Sequence, residues 1–227
     1  MTPEGAVYRA SSATISRAPL RREVRRIVLD RILRGEIPPG GGINESELSI
    51  DIGVSRTPLR EALLGLEREG FLRSEAGRGF FAAPLTAEDA EELYPILWTL
   101  EGLALASSPS PNPARMAELA RINADLARYE RIPERALELD RLWHDTLLAT
   151  CPRRKLLGMI EVLKDQARRY ERAYMADSGR VFVSTRQHEE ILDALGKDER
   201  EKAIRILEGN WRVSLDYLLP WLRKARS

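Results

Sequence analysis

The length, composition and charge of the chain restrict its class. With 227 residues, 43% of them hydrophobic but only 6% aromatic, the chain suits one large or two small domains built from helices, and not a β-sandwich or barrel. A single cysteine excludes an internal disulfide framework, and no apolar run reaches the roughly 18 to 20 residues of a membrane span, so we expect a cytoplasmic protein without a membrane partner. The net charge of +1 does not indicate a nucleic-acid surface, which would have to be a local patch.

The first third of the chain begins with a tail and two predicted helices. Residues 1–17 are dominated by small polar side chains and lack the apolar core of a signal peptide, so a disordered tail is predicted. Apolar residues at helical spacing predict a first helix over 19–34, and the prolines and glycines of 37–42 predict a loop after it. Asn44 is the predicted N-cap of a short second helix, with Glu47 three residues later in the capping-box position.

The stretch 53–63, GVSRTPLREAL, is typical of a helix that binds an anion. Ser55 is the predicted N-cap, whose hydroxyl would accept a hydrogen bond from the first turn. Arg56 and Arg60 are four residues apart and therefore share a face with Thr57 beside them. The opposite face is apolar and can be buried; its residues are Leu59, Ala62, Leu63 and Leu66. We interpret this stretch as the recognition helix of a helix-turn-helix, with Ser55, Arg56, Thr57 and Arg60 as DNA-contacting residues.

A hairpin follows the three predicted helices. Strands are predicted over 71–74 and 80–83, with a flexible basic tip between them. Gly77 permits a close backbone approach, and Arg78 could reach a phosphate or the minor groove. Three helices followed by a hairpin are the order of elements in a winged helix.

The rest of the chain shows no strand pattern. About six helical segments are separated by proline and glycine breaks, and antiparallel helices with short loops form a bundle. Thr86 is the predicted N-cap of the first of these helices and Asp198 that of the last. We therefore predict a mainly α protein, with a winged helix-turn-helix over 18–83 and an all-α antiparallel bundle over 84–227.

Both histidines of the chain, His144 and His188, fall in this bundle. Asp140 precedes His144 by four residues, so the two side chains project from one face of a helix and can hold one metal ion. His188 could reach the same point from across the bundle. The alternative interpretation is that both histidines are satisfied polar groups in a cavity, with Asp140 hydrogen-bonded to one of them.

Residues 20–84 resemble the winged helix-turn-helix of the GntR family of bacterial transcription regulators. The segments that carry this resemblance are 35–40, 47–48, 53–63, 66–70 and 77–79. The helical half resembles the FadR-type effector domain of the same family. Its matching segments are 100–104, 140–144 and 188–195, and the short length is closer to the VanR branch.

The resemblance implies a homodimer that binds a palindromic operator in double-stranded DNA and responds to a small organic acid. In such proteins the positions that match Arg56, Thr57 and Arg60 contact bases and phosphates. The wing tip, here Gly77 and Arg78, enters the minor groove.

The resemblance also implies a metal ion. Many effector domains of this type bind a divalent metal of the zinc, nickel or manganese class through one aspartate and three histidines. Asp140, His144 and His188 match three of those positions, and Asn210 stands at the fourth, where a histidine is expected. An amide oxygen is a weaker ligand than imidazole for zinc or nickel, so the chain departs from the pattern.

A second departure concerns the effector. Relatives often carry an arginine at the position of Leu97, where it can serve a carboxylate ligand. The absence of this arginine suggests a different effector, or a carboxylate bound by a residue elsewhere. The candidates on a later helix are Arg168, Arg169 and Arg172. Three such charges are also typical of a solvated helix face. The predicted effector-site residues are Arg169, Leu97 and Trp98, the last of which could fill a ligand-free cavity.

These features predict a non-enzymatic transcription regulator, a repressor that a small molecule releases from its operator. One alternative is a metal-dependent hydrolase that uses Asp140, His144 and His188, although the chain has no His-Glu-x-x-His motif. The other is a winged helix used only for protein contacts, against which the arginines of the recognition helix argue.

Overall fold

The computed structural model describes residues 18–224. The predicted disordered tail over 1–17 lies outside these residues. Contacts divide the chain into two compact units, with the boundary between Ala82 and Ala83. The elements of the first unit are α1 (Ala18–Leu33), β1 (Gly42–Ile43), α2 (Glu45–Ile52), α3 (Arg56–Arg68), β2 (Leu72–Glu75) and β3 (Gly79–Ala82). The elements of the second are α4 (Ala87–Ser107), α5 (Pro113–Arg128), α6 (Pro133–Leu148), α7 (Arg154–Tyr174), α8 (Ser178–Gly196) and α9 (Arg200–Lys224).

The start and the end of α2 set the turn of the helix-turn-helix. The Asn44 side chain accepts hydrogen bonds from the backbone N–H groups of Ser46 and Glu47, as an N-cap does. Gly53 ends the helix with a φ of 75°, a left-handed conformation that favours glycine. This turn leads into α3, and the apolar face of α3 packs against α1 and α2. The fully buried residues of that face are Leu59, Leu63 and Leu66.

The wing is a three-stranded antiparallel sheet with the strand order β1-β3-β2. The predicted hairpin of β2 and β3 is present, and Gly77 and Gly79 both have positive φ angles at its turn. The loop predicted over 37–42 is wrong at its end, because Gly42 and Ile43 pair with Phe81 and Phe80. Two residues are too few to show a strand period in sequence, and their pairing depends on a partner strand that lies nearly forty residues later.

The second unit is an all-α bundle, which confirms the mainly α fold predicted from the sequence. Helix α4 packs against α7 and α9, α8 packs against α5 and α9, and α5 packs against α6. The hydroxyl of Thr86 accepts a hydrogen bond from the N–H of Asp89 at 3.0 Å, as predicted for its N-cap. None of the helices within residues 18–224 is long and apolar enough to cross a membrane.

One predicted helix cap is confirmed in position only, and another is wrong. Ser55 is the N-cap residue of α3 and has the extended backbone of a cap, but its exposed side chain does not make the predicted capping hydrogen bond. Asp198 does not cap α9, because it lies in the preceding turn with a φ of 61°. Glu199 takes that place, since its carbonyl accepts the N–H of Ala203 at 3.0 Å. Aspartate is among the few non-glycine residues that tolerate a left-handed turn, which explains its use here.

Candidate DNA-reading surface and buried polar site

The exposed face of α3 carries three of the residues predicted to contact DNA. Arg56, Thr57 and Arg60 are all exposed and line one groove of the first unit. Arg56 Nη2 donates to Ser46 Oγ at 2.9 Å, which ties α3 to the start of α2. Arg60 makes no hydrogen bond or ion pair with any residue of the described chain. The predicted face is therefore present, with Arg56 hydrogen-bonded to Ser46 and Arg60 without a partner among the described residues.

The wing presents two arginines and not one. The Arg78 guanidinium pairs with the carboxylate of Glu75, and its central carbon lies 5.1 Å from the centroid of the Phe81 ring. The Arg73 guanidinium carbon lies 5.8 Å from the same centroid. Sequence reasoning missed Arg73, although its alternation with the buried Leu72 on β2 places it on the outer face of the wing.

In the second unit, Asp140 and His144 of α6 meet His188 of α8. Asp140 Oδ2 lies 4.0 Å from His144 Nε2, and Asp140 Oδ1 lies 3.7 Å from His188 Nε2. One ligand atom from each residue lies within 4.8 Å of the others. All three side chains are buried. The spacing of four residues on α6 thus has the consequence predicted from sequence, and the packing of α8 supplies the third residue.

The second ring nitrogen of each histidine is already engaged. His144 Nδ1 donates to Glu101 Oε2 at 2.9 Å, and His188 Nδ1 donates to Asn123 Oδ1 at 2.9 Å. The Asn123 amide is oriented in turn by its donation to the carbonyl of Thr185 at 3.0 Å. Such partners fix the tautomer and the ring orientation of metal-binding histidines.

Three buried atoms of this cluster lack a hydrogen-bond partner among the described residues. They are Asp140 Oδ1, His144 Nε2 and His188 Nε2. A buried polar atom without a partner costs about 1–3 kcal/mol, and a bound ion or an ordered water molecule between these three atoms would remove that cost. Because a carboxylate and two imidazoles are a donor set that zinc, nickel and manganese accept, the residues fit a divalent metal ion.

The pKa shift of His188 favours metal binding, whereas the pKa shifts of His144 and Asp140 favour their protonated forms. Burial, and then the proximity of His144, hold the pKa of His188 well below its usual value, so His188 is neutral, the form in which imidazole binds a metal. Burial lowers the pKa of His144, but the charge and hydrogen bond of Glu101 together with the charge of Asp140 raise it, and the net shift is upward. Burial raises the pKa of Asp140.

Aromatic rings enclose the cluster. The Trp143 ring is stacked on His188, with centroids 3.6 Å apart and planes at 5°. Trp211 Nε1 donates to Glu101 Oε2 at 2.7 Å, which helps to orient the carboxylate that holds His144. The histidines are thus fixed by packing as well as by hydrogen bonds.

Helix α7 adds charged residues that sequence reasoning did not assign to the site. Lys164 Nζ lies 2.7 Å from Glu101 Oε1 and 2.9 Å from Asp145 Oδ1. Glu171 accepts hydrogen bonds from the Tyr94 hydroxyl and from Ser214 Oγ, and burial raises its pKa to about 8. Lys164, Arg168 and Glu171 follow one another at spacings of four and three, so one face of α7 carries all three. Arg168 was already a candidate anchor, and this spacing is the signal by which Lys164 and Glu171 could have been found.

A cavity of about 20 Å³ lies beside this cluster, enough for one water molecule or an ion. Six of its lining residues are buried and two arginines are half-buried. The lining residues are Leu137, Asp140, Arg141, His144, Lys164, Arg168, Glu171 and Trp211.

The other predicted site residues lie elsewhere. Asn210 is buried, and its amide nitrogen donates to Gln187 Oε1 at 2.9 Å, next to His188 on α8; its role as a fourth ligand stays a prediction. Leu97 is fully buried in the core of the bundle, and Trp98 lies under the guanidinium of Arg212. Arg169 donates to the carbonyl oxygen of Ala83. None of these four residues lines the cavity, and Arg168 does.

Family models match both units. Residues 20–82 match the bacterial regulatory proteins of the gntR family, and residues 92–210, more than half of the chain, match the FCD domain. The chain belongs to the GntR family. It is a DNA-binding transcription regulator with a winged helix-turn-helix and an FCD effector domain. The members of this family are transcription regulators and not enzymes.

Curated relatives match over most of their length. The uncharacterized HTH-type transcriptional regulator YdhC of Bacillus subtilis is 30% identical over 201 residues, which cover 86% of this chain and 89% of that protein. The Nta operon transcriptional regulator of Aminobacter aminovorans is 31% identical over 191 residues, or 82% of this chain and 89% of that protein.

Solved structures share the fold of this GntR regulator. McbR/YncC of E. coli has a TM-score of 0.76 at 21% identity, covering 89% of this chain and 98% of that one. A regulator from Rhodococcus sp. RHA1 has a TM-score of 0.74 at 23% identity, covering 89% of this chain and 99% of that one.

Proposed function

We propose that this GntR regulator is a homodimeric repressor that binds a palindromic operator and releases it when a small organic acid binds in the FCD domain. The observation that carries the proposal is the set of buried, unpaired polar atoms of Asp140, His144 and His188 beside a cavity. A domain that served only to dimerise would not need them. A relative named as the probable D-xylose utilization operon transcriptional repressor of Paenarthrobacter nicotinovorans, 34% identical over 95 residues, supports the repressor role.

DNA is read by α3 and the wing. The guanidinium groups of Arg56 and Arg60 can each donate two hydrogen bonds to the major-groove edge of a guanine, and Ser55 and Thr57 are the proposed phosphate contacts. Arg78, at the wing, reaches the minor groove beside the glycine at 77. Two subunits then read the two halves of a palindrome, because a twofold axis relates the readers.

Asp140, His144 and His188 hold a divalent metal ion, and Asn210 is the predicted fourth ligand. When bound, the ion supplies a positive charge that favours an anionic effector. Glu101 and Asn123 orient His144 and His188 through the hydrogen bonds to their Nδ1 atoms. Metal analysis of protein purified without chelator tests this site: we expect stoichiometric zinc, nickel or manganese in the wild type and its loss in His188→Ala. Absence of metal after reconstitution would contradict it and favour histidines that serve only as cavity lining.

Repression is relieved by a shift between two arrangements of the DNA-reading heads, of which the effector binds one more tightly. The test is a gel shift on DNA from upstream of the protein's own reading frame, with and without small carboxylates, sugar acids and chelator. We expect a specific shift that one class of carboxylate abolishes. Binding no stronger than that to competitor DNA would overturn the proposal.

A further inference from the structure

Two half-buried arginines line the cavity in the FCD domain. Arg141 and Arg168 are its half-buried lining residues, and the other six are buried. These two are therefore the lining residues that solvent reaches.

The two arginines differ in their partners. Arg141 pairs with the carboxylate of Asp165, and its Nε lies 3.6 Å from Asp145 Oδ2. Arg168 makes no hydrogen bond or ion pair with any residue between 18 and 224. Its charge is thus available to an incoming anion. A partly desolvated guanidinium pairs with a carboxylate through two parallel hydrogen bonds.

The neighbouring arginines of α7 are already bound outside the cavity. Arg169 donates to the Ala83 carbonyl, and Arg172 Nη2 lies 3.3 Å from Glu134 Oε1. Lys164, the other cation of the lining, is held between Glu101 and Asp145.

The inner wall of the cavity carries two carboxyl groups. Glu171 lies one turn beyond Arg168 on the same face of α7, and Asp140 lines the wall from α6. The volume of about 20 Å³ admits one water-sized group and leaves the rest of the molecule outside. A hydroxyl group fits this volume and can donate a hydrogen bond to Glu171, whereas a second carboxylate, with three heavy atoms, does not fit.

We propose that Arg168 binds the carboxylate of the effector and that Glu171 accepts a hydrogen bond from a hydroxyl group of the same molecule. The effector is then a small hydroxy-monocarboxylate and not a dicarboxylate. The inference rests on the proposed function, because it assigns the ligand of the same cavity.

The test uses calorimetric titration of the full-length protein with four-carbon acids. The probes are 2-, 3- and 4-hydroxybutyrate, which place the hydroxyl at three distances from the carboxylate, with butyrate and succinate as matched comparisons. We expect at least one hydroxybutyrate to bind roughly tenfold or more tightly than both comparisons, since a hydrogen bond to a charged or buried group has about this effect.

Variants of α7 test the anchor. Arg168→Ala should weaken binding of the best hydroxybutyrate by roughly 10- to 100-fold, the effect of losing a charge-assisted pair. Arg168→Lys keeps the charge but not the paired hydrogen bonds, so its affinity should lie between those of the wild type and Arg168→Ala. It also tests the anchor if the alanine variant fails to fold. Arg172→Ala is the matched control on the same helix, and its affinity should stay within about twofold.

Each result tests a separate part of the proposal. If no hydroxybutyrate binds, or if butyrate or succinate binds as tightly as the best isomer, the ligand class is wrong. Equal weakening in Arg168→Ala and Arg172→Ala would overturn the anchor. Operator binding by the wild-type protein without ligand is measured separately: a specific shift together with failed titrations refutes only this inference, whereas loss of a specific shift refutes the proposed function itself.

Discussion

Arg56 and Arg60 share a face of α3 but differ in what holds them. Ser46 restrains Arg56, whereas Arg60 has no partner within the described chain and is free to reach a base. We expect Arg60→Ala to weaken operator binding by about 10- to 100-fold, since a paired arginine–guanine contact contributes about 1–3 kcal/mol, while the circular dichroism spectrum stays unchanged. Fluorescence anisotropy with labelled operator measures it. Arg68→Ala, at the far end of the same helix, is the control, and equal affinity of the two variants would refute the assignment.

Glu171 should make the stability of the protein depend on pH. Burial raises its pKa to about 8, above the ordinary 4.5, so the folded protein keeps a proton that the unfolded chain has lost. Its stabilising contribution is complete below pH 4.5 and is lost as the pH rises through about 8. We expect Tm to fall more steeply between pH 5 and pH 9 in the wild type than in Glu171→Gln. Glu161→Gln, an exposed position on the same helix, should follow the wild type; if Glu171→Gln also does so, Glu171 is not the titrating group.

At the scale of the element, α2 and α3 begin in different ways. Asn44 caps α2 with its side chain, whereas Ser55 precedes α3 without a side-chain cap. Asn44→Ala should therefore cost about 1 kcal/mol and speed hydrogen exchange of the α2 amides roughly fivefold in the full-length protein. Ser55→Ala should leave exchange in α3 nearly unchanged. Equal acceleration in the two helices would show that the capping contacts do not distinguish them.

The same elements show what the sequence could predict. The apolar periods of the helices, and Gly77 between two strands, were sufficient for a winged helix followed by a bundle. The spacing of Asp140 and His144 was sufficient for two residues of the polar cluster. The pairing of β1 could not be predicted, because two residues carry no period. The role of Arg168 could not be separated from that of Arg169, because only the packing of α7 decides which arginine faces the cavity.

At the scale of the whole molecule, effector and operator must affect each other equally. If the effector weakens operator binding by a given factor, operator DNA must weaken effector binding by the same factor, typically about 5- to 150-fold. Titration of the best-binding hydroxybutyrate into protein alone and into the protein–operator complex measures both sides. Equal affinity of the hydroxybutyrate for the free protein and for the complex would mean that the effector does not control operator binding. A scrambled duplex serves as the control for non-specific binding.

The stacking of Trp143 on His188 gives the protein an optical signal of its own. Of the four tryptophans, Trp143 lies parallel to the His188 ring, whereas Trp221 is about half exposed at 49%. Charge placed on a stacked imidazole alters the emission of the indole beneath it. Zinc titration should therefore change the intrinsic fluorescence of the wild type and of Trp221→Phe more than that of Trp143→Phe, which keeps Trp211 with its ring centroid 5.0 Å from that of His144. A change of equal size without Trp143 would place the reporter elsewhere; otherwise occupancy of the site can be followed in unlabelled protein.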